Sequence, residues 1–473
     1  MPKVGIWQCV ITALIVALGA PLLHYLWFLL RRIFQRDLPP GPLGLPLLGY
    51  LPFMTKDGHR DIEALRQKYG NVFGCVHEAL SNDVLLNRAQ EFPLNVHEKS
   101  QSMILANGPR WREQRRFTMR TFRTLISTTQ ALETHIHDEL SNLVRELASR
   151  KGEPVAIMSL LTSSTSNVIT ALMYGRRYEY GSPERVELDE LAEGIPSLAA
   201  QMSAINFFPW LRRVLSMLRI GPCGRLRSAM LQRDRFSETL IGLHEKTYQD
   251  GLVRDYIDGF LGEMRRPEQE KKTFTRDVLR SNASSFFGAG SETVRSAIEW
   301  LLVMCAAKPE MQKRIRAEID VVLGQSGQGS RVLWEDRGRM PYTQAFIWEM
   351  MRCEPINPFG LMRSVVVPSL MSIFYDASFW EDPEVFRPER FLVDGGTRAS
   401  KPERLIAFSY GKRSCPGELI ANMETFIFLT SILQHFIVEA PSSGPALAFD
   451  EELSLSLRPR SQELVFRARE VCA

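Results

Sequence analysis

The stretch Phe408-Ser409-Tyr410-Gly411-Lys412-Arg413-Ser414-Cys415-Pro416-Gly417 sets a cysteine between two glycines and leads into an apolar segment. That segment, Pro416 to Phe436, has the spacing of a helix. A thiol just ahead of a helix N-terminus meets backbone N–H groups and the positive end of the helix dipole, which favour thiolate over thiol. Gly411 and Gly417 lack a Cβ and allow the backbone close to the sulfur. Such a thiolate suits the axial position of a haem iron, where it pushes electron density onto the metal. An isolated cysteine is more often a buried structural one. Phe408 and Arg413, at their offsets from Cys415, turn the reading towards a ligand.

Outward from this point, the 473 residues are 45% hydrophobic and 24% charged, ordinary for a globular protein. A net charge of +4, with acids interspersed among the bases, argues against a nucleic-acid binder. The seven cysteines lie at 9, 75, 223, 305, 353, 415 and 472, an odd number without a C-x-x-C pair. A reducing compartment is expected, without a disulfide framework. His135 and His137, two apart, would face different ways on a helix, which speaks against a zinc site.

Residues 1–30 read as a membrane anchor. Gly5 to Leu30 is almost wholly apolar, long enough to span a bilayer, and Arg31-Arg32 follows at once. The positive-inside rule then leaves the rest of the chain in the cytosol. A cleaved signal peptide is the weaker alternative, since the apolar run is long and the charge lies on its far side. Residues 31–49, with Pro39-Pro40-Gly41-Pro42, Pro46 and Gly49, read as a semi-rigid hinge, and 50–473 as one catalytic domain. Helical periodicity runs from Trp111 to about Arg150, from Asp277 to Asp320, and from Pro341 to Arg352. Strand-like runs are few and short, so a mostly α fold with a small β region is expected. The segment Asn206-Phe207-Phe208-Pro209-Trp210-Leu211, beside Arg212 and Arg213, reads either as a dip into the lipid interface or as a buried inter-helix loop.

The stretch around Cys415 resembles the F-x-x-G-x-R-x-C-x-G signature of the cytochrome P-450 superfamily. Further resemblances follow in order. Trp111 to Arg115 resembles W-x-x-x-R. Ala289-Gly290-Ser291-Glu292-Thr293 resembles A-G-x-E-T. Glu349 to Arg352 is E-x-x-R, and Phe386 to Phe391 contains P-E-R-F. Singly these strings are weak; in this order they are specific. The wording around them resembles the animal microsomal branch that handles drugs, steroids and fatty acids.

The resemblance implies haem b held by Cys415, with Trp111, Arg115, Arg363 and Arg413 at the propionates, where guanidinium suits a carboxylate fork. It also implies a core built on Glu349, Arg352 and Arg390. From the residues themselves, Ala289 and Gly290 would leave room above the haem, Thr293 could donate a hydrogen bond to dioxygen, and Glu292 could relay protons. A helix kink with a polar patch is the plainer reading of 289–291. Arg115 lies in a basic run, Arg110 to Arg123, of a kind that is usually a solvated face; its other side could meet an acidic redox partner. The implied partners are NADPH-cytochrome reductase, cytochrome b5, O2, an apolar small molecule and the endoplasmic reticulum membrane.

The match breaks twice. About twenty residues of a hairpin are missing after Gly74-Cys75, and the strands between Arg363 and Trp380 are shortened, although Val365-Val366-Val367 could supply one. Both losses fall on one small sheet. The expectation is a monooxygenase inserting one oxygen atom into a steroid, fatty acid, terpenoid or xenobiotic; the alternative is a haem- or reductase-binding decoy without turnover.

Overall fold

A computed structural model describes residues 41–42, 53, 55, 58–70, 101–127, 130–201, 205, 209–266, 273–326, 330–358, 369–442, 447–454 and 456–469. The expected anchor, nearly all of the hinge, the first expected deletion and the start of the second, with Arg363 and Val365 to Val367, lie outside these residues. No helix among the described residues is long and apolar enough to cross a membrane.

The chain opens with α1 (Gly58–Tyr69), α2 (Gly108–Ser127) and α3 (Gln130–Ser149). The single helical stretch expected from 111 to 150 is therefore two helices. A short strand, β1 (Val155–Ala156), leads into α4 (Ile157–Tyr174), α5 (Pro183–Gln201), α6 (Pro209–Met217), α7 (Gly221–Thr247) and α8 (Tyr256–Met264). Helix α4 stops at Gly175, whose φ of 62° is the left-handed conformation of a helix C-cap. A side chain there is also excluded by space, because a Cβ would stand 2.5 Å from Asp255 Oδ2.

That aspartate caps α8, accepting from the Asp258 N–H at 2.9 Å, and accepts from buried His244 Nε2 at 2.7 Å. The other ring nitrogen, Nδ1, lies 2.8 Å from the Leu240 carbonyl. With an acceptor at each nitrogen, the ring is held as imidazolium. Burial opposes the charge, but the Asp255 carboxylate outweighs it and raises the His244 pKa. A raised folded value means that the pair stabilises below about pH 6.5, the unfolded value, and fades as pH climbs through the folded value. The unfolding midpoint should therefore fall as pH rises from neutral to mildly alkaline. His244→Gln should flatten that slope, and an unchanged slope in the variant would remove His244 as its cause.

Helix α9 (Arg276–Ala307) is the longest element and the centre of the molecule. Thr275 caps it, its hydroxyl accepting from the Val278 N–H at 3.3 Å, and Asp277 complements the dipole in the first turn. From Val294 to Ala306 every residue is buried, so no solvated face remains. Pro309 ends this helix and begins α10 (Pro309–Ser326), dividing the expected 277–320 stretch in two. Helices α11 (Pro341–Cys353) and α12 (Leu370–Phe374) precede the hairpin of β2 (Leu392–Val393) and β3 (Arg398–Ala399). Helix α13 (Glu418–His435) is apolar all round and packs against α9, α3 and α10.

Strands β4 (Phe436–Glu439), β5 (Glu451–Leu453), β6 (Leu457–Pro459) and β7 (Glu463–Ala468) complete the chain. The order β1-β7-β4 is antiparallel throughout, with Val155 opposite Leu464 and Phe436 opposite Ala468. β5 and β6 form a separate hairpin. The Leu457 N–H on β6 donates to the Ile356 carbonyl at 2.7 Å, and Trp300 Nε1 of α9 donates to the Leu457 carbonyl at 3.4 Å. The fold is mostly helical with three small sheets among the described residues, as expected.

Candidate functional site

A cavity of ≈ 330 Å³ opens between α2, α9 and the 406–417 loop, and Cys415 lies on its wall. The loop is closed by its own backbone. The Cys415 N–H donates to the Phe408 carbonyl at 2.9 Å, and Ser414 N–H to Gly411 O at 3.1 Å. Gly411 has φ of 76°, a conformation that favours glycine. Gly417 is less constrained: a Cβ there would stand 3.9 Å from the Cys415 sulfur, an ordinary contact.

Burial pushes the Cys415 thiol up, against the lowering effect of the Gly417 N–H; Glu418 adds to the push, and Arg115 works against it. Burial thus outweighs the pull of the helix N-terminus towards thiolate. A bound cation would reverse the balance, because coordination deprotonates a thiol.

Basic groups meet the cavity from two elements. The Arg413 guanidinium stacks 3.4 Å from the Trp111 ring centroid and donates through both terminal nitrogens to the Ala106 carbonyl at 3.2 Å. Half-buried Arg115, on α2, has no hydrogen-bond or ion-pair partner among the described residues, and burial lowers its pKa. A half-buried cation beside a stacked Arg–Trp pair suits a ligand carrying carboxylates. With the thiol on the same wall, the residues fit a haem and its propionates.

On α9, Ala289 and Thr293 are exposed to this cavity, and the Thr293 hydroxyl donates to the Ala289 carbonyl at 2.7 Å. Gly290 also lines it, yet its Cβ position points at α4. An added methyl would lie 2.8 Å from Ile169 Cδ1, so this glycine is required for close packing of α9 on α4. Glu292 does not line the cavity. Its carboxylate accepts from the Ser456 hydroxyl at 2.9 Å, beside β6, and burial raises its pKa.

Glu349, Arg352 and Arg390 come together in the core. Arg352 holds both Glu349 oxygens, at 2.8 and 2.9 Å, and Arg390 Nε reaches Glu349 Oε1 at 3.0 Å. The Arg387 backbone N–H adds a bond at 2.7 Å, and Arg352 Nη1 donates to the Phe374 carbonyl. Glu349 and Arg352 are fully buried.

Several cavity residues gave no sequence signal. Ile169 and Leu172 of α4 read as ordinary core, and Asn357 as loop. Glu424 also lines the cavity, fully buried with one carboxylate oxygen unpartnered. An acid on the apolar face of α13 was the available sign.

Residues 39–466 match the cytochrome P450 family. The chain is 31% identical to rabbit (Oryctolagus cuniculus) cytochrome P450 2J1, covering 93% of this chain and 92% of that protein. It is 30% identical to human (Homo sapiens) cytochrome P450 2J2, with 91% and 90% covered, and 31% identical to human cytochrome P450 2D6, with 92% and 94% covered. The alignment with the rabbit protein runs over 479 positions, more than the 473 of this chain, which requires gaps on this chain's side. With that match across nearly its whole length, and a half-buried thiol sharing a cavity with an arginine that has no ion-pair partner among the described residues, the chain belongs to the cytochrome P450 family, haem-b monooxygenases that hold iron through a cysteine thiolate.

Proposed function

We propose that Cys415 is the axial ligand, that Trp111, Arg115, Arg413 and Arg363 hold the propionates, and that the substrate is an apolar small molecule. The observation that carries this is the Cys415 sulfur on the wall of a cavity whose basic edge contains an arginine without a hydrogen-bond or ion-pair partner among the described residues. Haem, when bound, supplies oxygen activation and electron uptake. The chain supplies the surroundings. Met103, Ile104, Phe122, Phe286 and Ile356 give the cavity apolar walls that exclude water and suit a steroid, fatty acid, terpenoid or xenobiotic. Ala289 leaves space beside the Thr293 hydroxyl, which can turn from the Ala289 carbonyl to donate into the cavity. Glu292, one residue away and held by the Ser456 hydroxyl, is the relay acid that passes protons towards Thr293.

Electrons come from an NADPH-dependent flavoprotein reductase, with cytochrome b5 as a second donor. Exposed Arg112, Arg116, Arg120 and Arg123 on α2 offer an acidic partner a basic face. The location is the endoplasmic reticulum membrane, with residues 1–30 as the anchor and 50–473 as a cytosolic catalytic domain. Beside α6, Met217, Leu218 and Ile220 are exposed near Arg213 and Arg219, which supports a second, peripheral contact with lipid; Arg212 is instead buried.

The test is reconstitution of the full chain with purified reductase in vesicles, supplied with NADPH, labelled dioxygen and a panel of apolar substrates. One labelled oxygen atom per product molecule is expected. Thr293→Ala should keep consuming NADPH while the yield of product per NADPH falls roughly tenfold or more. Reductase binding with no oxidised product from any substrate would favour the decoy.

A further inference from the structure

On the side of α9 away from the cavity, four charged side chains are packed into the protein interior. Arg295 and Glu299, four residues apart, are each 2% exposed, and their nearest charged atoms are 3.7 Å apart, too far for a hydrogen bond. Neither Arg295 Nη1 nor Glu299 Oε2 has a hydrogen-bond partner among the described residues, and nor does the buried Arg458 Nε on β6. Next to them, the Ser456 hydroxyl is 2.9 Å from Glu292 and 3.1 Å from the Ser296 hydroxyl. Arg458 continues outward to Glu452 on β5, 3.1 Å away and 53% exposed.

Buried polar atoms without protein partners are normally satisfied by ordered water. Three such atoms belong to one seam between α9 and the β5–β6 hairpin, with exposed Glu452 at one end and Glu292 at the other, and each is a position that water would satisfy. We propose that this seam is a hydrated proton path, entered beside Glu452 and carried to Glu292 by Glu299 and by water that Arg295 orders. The proposal rests on the reading of Glu292 as a relay acid.

The charges around Glu299 suit a group that both takes up and gives a proton. Arg295 of the same helix and Arg458 of β6 favour its carboxylate, while Glu193 of α5 and Glu452 of β5 oppose it. Burial is the largest influence and pushes Glu299 up to about 7. In each passage Glu292 gives a proton inward and regains one from water in the seam. Glu299 replaces that proton and is reloaded from solvent. Every group returns to its starting state, and one proton has moved from solvent to the cavity.

The haem-loaded full chain, with reductase, tests this by two readouts. The first is the infrared carboxyl band of the reduced, carbon-monoxide-bound protein near neutral pH, assigned by its loss in Glu299→Gln. In a hydrated seam the band shifts within the mixing time after transfer to D2O; exchange over hours would mean a dry seam and overturn the proposal. The second is product formed per NADPH, with its solvent isotope effect, in Glu292→Gln, Glu299→Gln and Arg458→Leu. All three should lose coupling several-fold and show a larger isotope effect, with the carbon monoxide spectrum unchanged. Uncoupling in Glu292→Gln alone keeps the relay and removes the path. Unchanged coupling in Glu292→Gln removes the relay, and the path with it. Should Glu299→Gln fail to fold, Glu299→Asp, which moves the carboxyl band instead of removing it, supplies the assignment, and the exchange rate of that band and Arg458→Leu at the mouth decide.

Discussion

Cys415→Ala abolishes the strongly red-shifted Soret band that the reduced, carbon-monoxide-bound full chain gives in detergent; this is the largest effect expected of any single substitution. The shift arises from thiolate donation to iron. Among the described residues the other free cysteines, Cys223, Cys305 and Cys353, are buried, and none of them lines the cavity. Among the described residues no second thiol stands on the cavity wall to take the place of Cys415. Arg413 and Trp111 remain stacked in the variant, so residual haem should give the ordinary band of histidine-bound or free haem. A red-shifted band that survives in Cys415→Ala would assign the ligand elsewhere.

Glu349→Ala should destabilise the protein by about 3–5 kcal/mol, because it strands Arg352 and Arg390 around a vacated carboxylate. The carboxylate collects four bonds from three groups: two from Arg352, one from Arg390 and one from the Arg387 backbone. Losing the carboxylate leaves an uncompensated buried charge, and the Arg352 side chain has no route to water between Tyr375 and Trp380. The exposed Arg398–Asp394 pair, with both side chains at least 60% exposed, should move stability by less than about 1 kcal/mol when broken. Guanidinium unfolding of the three proteins, followed by tryptophan fluorescence, checks both figures. Equal losses in the two variants would mean that burial of the Glu349 cluster carries no energetic weight. A Glu349→Leu/Arg352→Met double variant should recover only part of the loss, since it removes the stranded Arg352 charge but leaves Arg390 without its carboxylate.

What could be read from the sequence was local. The 408–417 loop needs its glycine, its arginine and its cysteine at fixed offsets, because its closing hydrogen bonds span only a few residues. Helix α11 was bounded by Pro341 at its first turn, and α13 by the loop before it. What could not be read depends on contacts between distant segments. Glu292 and Thr293 are adjacent in sequence, yet Ser456 draws one away from the cavity while the other faces it. Gly290 looked like a cavity glycine, and Ile169, far away in the chain, explains it better. The Arg295–Glu299 spacing is that of a solvated helix face; only the packing of α5 and β6 against α9 buries it. Strands of two or three residues, such as β1 and β6, carry too little alternation to be seen before their partners are known.

The pairing of β1 with β7 has a consequence for how the protein is made. Val155 leaves the ribosome long before Leu464, its partner across the sheet, has been translated. At ordinary elongation rates the interval is on the order of tens of seconds. Through that time β1 and the start of α4 lack the strand that covers them, since β4 is itself made only shortly before β7, and the nascent polypeptide presents an unpaired edge to its surroundings. Synonymous codon changes or chaperone supply that alter this interval should therefore change the yield of soluble, haem-loaded protein without changing a single residue.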